Sequence, residues 1–312
     1  QTLVQRLCTL TQRLAGRSYK MAISLGGGGS ASQVNETINI NSDENLITLE
    51  DGRVYLKGGV NETDVAAYPD ATQGGAYSGT SFSVASQVTS IREVVWDGTH
   101  LWVLDDNTDR VYKYNASGVY QNVNFYVGGQ DAQPSGLVWD GTYFWMVGDG
   151  TDSVYKYNAS GVYQNVSFSV GSQESAPQGI TWDGTHFWIV GWATDRVYKY
   201  NASGVYQNVS FYIGAEDIDP TGLTWDGTSF WVIGAITDRF YKYNASGVYQ
   251  GSSISVAAQD NIPRGVSWDG SAFWVSGDNS NAAYKYQIQI GVNTNGSASQ
   301  IAEGLQNYIR IK

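Results

Sequence analysis

Cysteine is all but missing from this chain: Cys8 is the only one in 312 residues. One thiol excludes an internal disulfide framework and any metal site built on paired cysteines. Proline is also scarce, at 5, and charged residues make up only 15%. No apolar run reaches the roughly 18 residues needed for a membrane-spanning helix, so membrane insertion is not expected. Strong helix formers thin out after the first 20 residues. The few charges lean acidic, with a formal net charge of −11. Arg6, Arg13, Arg17 and Lys20 cluster at the start without an acid between them, so the rest is more acidic still. An acidic body repels phosphate backbones, which argues against nucleic acid as a partner.

Aromatics and glycine are plentiful, at 13% and 37 residues. That balance favours many short strands joined by tight turns. The aromatics are also regular. Trp96, Trp139, Trp182, Trp225 and Trp268 follow one another at 43-residue steps, and Trp102, Trp145, Trp188, Trp231 and Trp274 repeat the spacing six residues later. A fixed period of this size marks tandem copies of one supersecondary unit. Copy two predicts four strands: Gly136–Trp139, Phe144–Val147, Ser153–Tyr157 and Val162–Val170. The first two flank an Asp140-Gly141-Thr142 turn, and the last two flank Asn158-Ala159-Ser160-Gly161. Four antiparallel strands per repeat is the pattern of a propeller blade.

The ends of the array predict closure. The fifth copy stops at Tyr286, after its third strand, while Tyr77–Gln87 ahead of copy one matches the fourth-strand segments. An N-terminal strand completing the last blade would leave no open sheet edge. The expected fold is therefore all-β: a closed five-bladed β-propeller over residues 77–286. A basic helix and Gly-rich hinge (1–30), a β-hairpin attachment segment (31–76) and a C-terminal β tail (287–312) flank it. In the first of these, Leu3, Leu7, Leu10 and Leu14 form a short helical seam. Met21-Ala-Ile-Ser reads as a translation start, so residues 1–20 are either a docking helix or upstream sequence. Leu46–Leu56 carries a hairpin signal at Asp51-Gly52, and residues 61–76 read as loop.

Features common to every copy are expected to hold the blades together. The ten paired tryptophans read as blade-to-blade packing, and Asp97, Asp140, Asp183, Asp226 and Asp269 as Asx-turn residues. The Asn-Ala-Ser turns at Asn115, Asn158, Asn201 and Asn244 also match the N-glycosylation pattern. His100 and His186 sit in turns of separate blades and form neither a triad nor a metal site. No catalytic residue, metal or cofactor is expected, and the chain reads as non-enzymatic.

Variation between copies is confined to one face. The second-to-third connections (LDDNTD, VGDGTD, VGWATD, IGAITD, SGDNSN) and the fourth-to-first connections differ, while the opposite turns repeat WDGT and YNASGVYQ. Loops on a rigid scaffold commonly carry recognition. The binding candidates on this face are Trp192, whose equivalents are Asp106, Asp149, Ala235 and Asp278, together with Arg92 and Glu93. Glu93 stands where the other copies have glycine. The loop acids Asp131, Glu174, Asp217 and Asp260 complete the set.

Three segments outside the ring, Met21–Glu36, Asp51–Asp64 and Gly304–Lys312, together resemble bacteriophage tail-fibre or tail-appendage proteins. The ring resembles propeller repeats of the Trp-Asp-Gly type. The resemblance implies a homo-oligomeric virion protein. It would attach to other appendage subunits through residues 1–76 and 287–312 and present the propeller to a host-surface glycan or protein. Two alternatives stay open: a secreted five-bladed lectin-like protein, and a propeller glycan hydrolase.

Overall fold

A computed structural model describes residues 75–288 in full and, outside them, the backbone of several short strands. The chain divides into two units, 75–288 and the flanking segments 1–74 with 289–312.

Residues 75–288 are five four-stranded antiparallel sheets. Blade two consists of Pro134–Trp139, Tyr143–Gly148, Ser153–Asn158 and Tyr163–Ser169. The same pattern recurs in blades one, three and four. Blade five joins Pro263–Trp268, Phe273–Gly277 and Ala282–Ile290 to Gln73–Ser83 from the start of the array. The expected closure is present, and the closing strand begins a few residues earlier than the sequence suggested. The fourth strands carry a bulge: Asn122, Asn165 and Asn208 take φ near +56°, where blade four has Gly251. Asn is among the few residues with a side chain that tolerate this region.

The second strand of each blade is buried from both sides, as in HFWIVG of blade three, because each sheet packs between two others. The first strands line the axis, and glycine lets them converge. A Cβ on Gly179 would lie 2.8 Å from the Gly222 Cα, and one on Gly136 2.9 Å from the Gly179 Cα.

In the flanking unit, Ile47–Glu50 pairs with Arg53–Leu56, the hairpin expected around Asp51-Gly52. The loop expected over 61–76 is corrected: Ala66–Ala67 pairs with Val292–Asn293, and Gln73 opens the closing strand. Lys20 belongs to a strand, Lys20–Ile23, rather than a helix. The helix expected over residues 1–19 lies outside the described residues.

Candidate functional site at the variable mouth of the axis

The two tryptophan series have different roles. Trp102, Trp145, Trp188, Trp231 and Trp274 are buried. Trp102, Trp145, Trp188 and Trp231 each pack on a phenylalanine of the next blade, as Trp188 does on Phe230 at 4.6 Å between ring centres, while Trp274 packs on Phe82 of its own blade. Each indole N–H also donates to the aspartate of its own turn, Trp145 to Asp140 Oδ2 at 2.7 Å. The other oxygen of that aspartate accepts the backbone N–H groups of Thr142 and Tyr143. The Asx turn is therefore also an anchor for the indole, a second role the sequence did not reveal. Trp96, Trp139, Trp182, Trp225 and Trp268 are only half-buried. They surround a cavity of about 100 Å³ at the constant end of the axis.

At the variable end, the loop acids divide into two groups. Asp131, Glu174, Asp217 and Asp260 are buried. Their carboxylates are taken up by the loops themselves. Asp131 accepts from the N–H of Gln133 at 2.8 Å and of Thr151 at 2.9 Å, and from the Thr151 hydroxyl. Glu174 and Asp217 repeat this with Thr194 and Thr237, and Asp260 with the N–H groups of Ile262 and Ser280. Each fills the space left by a strand-ending glycine: Gly148, Gly191, Gly234 or Gly277. Blade one reaches the same result by exchange. Val88 occupies the loop position, and Asp105, standing where the other copies have that glycine, supplies the buried carboxylate to Ser90 N and Thr108 Oγ1.

The second group opens onto the mouth. Arg92, Asp106, Gln133, Asp149, Gln178 and Trp192 are among the residues lining a cavity of about 250 Å³. Of the variable-face candidates, the fold therefore brings Arg92, Asp106, Asp149 and Trp192 together. Arg92 Nε is held by Asp106 Oδ2 at 2.5 Å, and Arg264 pairs with Asp278 at 3.2 Å on the neighbouring blade five. Burial pushes the Asp149 carboxyl above the usual range, reinforced by the charges of Asp152 and Asp131 and opposed by Arg92. Trp192 is 40% exposed, the one exposed tryptophan among the described residues. Asp219, which the sequence did not single out, lies beside it. Its carboxyl is likewise raised by burial, while Arg264 and the Trp192 indole N–H favour its charge.

Glu93 lies deeper, 1% exposed. Its Oε1 occupies the space beside Gly265 and accepts the Val94 N–H at 2.9 Å. It stands in the ring of axial glycines, between the residues that line the two cavities.

No protein-family model and no curated protein matches the chain. Its likenesses are to solved structures. A glutaminyl cyclase from Myxococcus xanthus superposes with a TM-score of 0.56 at 8% identity, covering 70% of this chain and 98% of that one. A luciferin-regenerating enzyme gives 0.45 at 13%, covering 70% and 98%. A virginiamycin B lyase from Staphylococcus aureus gives 0.42 at 18%, covering 64% and 65%. At these identities the likeness is one of fold. It nevertheless overturns the expectation that the chain is not an enzyme. The glutaminyl cyclase shares the five-bladed ring and is an enzyme, so the architecture gives no ground for excluding catalysis.

Proposed function

We propose that the variable mouth of the propeller binds a saccharide of a host cell surface, and that the chain is a subunit of a phage tail appendage presenting this mouth outward. The observation that carries the binding reading is a break in five-fold symmetry at the mouth: one exposed indole, Trp192, lines the same cavity as Arg92, Asp106, Asp149, Gln133 and Gln178. An indole face offers an apolar platform for a sugar ring. Carboxylates, amides and a pre-oriented guanidinium accept from and donate to vicinal hydroxyls. Pairing through Nε to Asp106 fixes the Arg92 side chain at the cavity wall. The virion reading rests on the flanking segments, whose resemblance to tail appendages makes them the attachment end and the source of homo-oligomerisation. A lectin with one site per blade would repeat its ligand residues in every copy, and the mouth does not.

Glycan-array binding and adsorption to host cells test this reading. Trp192→Ala is expected to weaken binding about tenfold or more, equivalent to roughly 1.4 kcal/mol, with the melting temperature nearly unchanged because the residue is exposed. Binding and adsorption equal to wild type would overturn it.

A second reading is glycan hydrolysis in the same cavity. It is favoured by Asp149, whose raised pKa suits a proton-holding carboxyl, with Asp106 lining the same space. Release of reducing ends from array-positive glycans, abolished in Asp149→Asn while binding persists, would establish it.

A further inference from the structure

The charges around the mouth are unevenly placed. At the position where Arg92 stands in blade one, blade five has Arg264, and the other blades have Ser135, Gln178 and Thr221. Both axial cations thus sit on neighbouring blades, and each is already bound to an aspartate, Asp106 or Asp278. Across the mouth the acids outnumber them. Asp149, on blade two, lines the cavity with Trp192, on blade three. Asp219, just ahead of blade four, lies against the Trp192 indole. Neither carboxylate has a guanidinium bonded to it among the described ion pairs. One oxygen of Asp219 is buried without a hydrogen-bond partner, a condition that costs free energy unless something donates to it.

An exposed indole with one carboxylate at its N–H edge and a second in the same cavity matches the requirements of a cation: π-electron density and anionic acceptors close together. An acidic sugar would meet repulsion from these carboxylates, and a neutral one would bring them no positive partner.

We propose that the saccharide taken by this mouth carries a free ammonium group, an amino sugar whose cation sits against Trp192 between Asp149 and Asp219. This inference rests on the saccharide reading above and adds the charge of the ligand. The burial that raises both carboxyls supports it, because a bound cation favours the ionised forms that burial disfavours.

The test compares a glucosamine oligosaccharide, at a pH where its amines are charged, with the fully N-acetylated oligosaccharide of the same length, by calorimetry on the full chain. The charged form is expected to bind about tenfold more tightly, as one partly buried ion pair allows. That preference should shrink as salt is raised. Asp149→Asn and Asp219→Asn should each bring the two affinities together, and Trp192→Ala should weaken both. Should Asp219→Asn fail to fold, Asp149→Asn, at the cavity wall, decides the matter. Equal binding of the two oligosaccharides, or tighter binding of the acetylated one, overturns the ammonium proposal and leaves the saccharide reading standing. Failure of both to bind, together with no positive on the array, overturns both.

Discussion

Replacing Trp188 with alanine should destabilise the propeller by about 3–5 kcal/mol, the usual range for emptying a buried tryptophan site. The side chain is 3% exposed. Its ring lies 4.6 Å from Phe230 of blade four and 6.1 Å from Phe211, and Lys199 Nζ stands 5.0 Å from its centroid. Its N–H satisfies Asp183, whose carboxyl is held below the usual range against the opposing effect of burial. The substitution therefore opens a cavity at a blade interface and removes the donor that helps keep Asp183 charged. Trp182→Ala is the contrasting case. That indole is half-buried at the constant mouth, so less apolar area is lost and the destabilisation should be under half as large. Urea titration of the two variants measures the difference. Equal losses would contradict the division of the tryptophans into interface and mouth series. A double-mutant cycle of Trp188 with Phe230 should show coupling, since the two rings share one contact.

That division shows where the sequence stops being informative. Period and turn chemistry were enough for the blades, their strand order and the closing strand, because each of these depends on local spacing and on pairing edges. Periodicity could not distinguish two equally regular tryptophan series: both recur at 43 residues, and only the radial position of the strand end separates a wedge between sheets from a wall of the axis. The loop acids misled for a related reason. Asp131, Glu174, Asp217 and Asp260 looked like variable-face ligands. Their role depends on a glycine some 17 residues further along the chain, whose missing Cβ makes room for the carboxylate. Blade one confirms the pairing by exchanging the two positions, Val88 for the acid and Asp105 for the glycine. The mouth itself was legible as a set of departures from the repeat, Arg92 and Trp192 among them. Asp219 was missed because it sits in a loop already rich in acids.

Glu93 is the departure with the strongest physical consequence. It is the one side chain in a ring of axial glycines, and burial raises its carboxyl well above the ordinary 4.5, opposed only by the N–H groups of Val94 and Val266. An unpaired charge so deep costs several kcal/mol, so the group stays protonated well past the pH at which an exposed glutamate ionises. The sign of the linkage follows. Below pH 4.5 the carboxyl is protonated in both folded and unfolded chains and stability is unaffected. Above it the unfolded chain releases the proton and the folded one keeps it. Stability therefore falls by up to about 1.4 kcal/mol per pH unit until the folded-state value is passed, and then levels off. Glu93→Gln keeps the shape and cannot ionise. The variant should match wild type near pH 4 and become progressively more stable than it toward neutrality. Glu93→Gly, which restores the residue of the other four blades, should show the same pH-dependent gain, displaced by a constant offset for the lost side chain. Because every other titrating group is common to the three proteins, the difference in unfolding free energy between wild type and variant isolates Glu93. A wild-type-minus-Gln difference that stays constant from pH 4 to 8 would mean that water or a cation reaches this carboxylate along the axis. The two cavities would then be one continuous channel rather than chambers separated by Glu93 and the glycine ring.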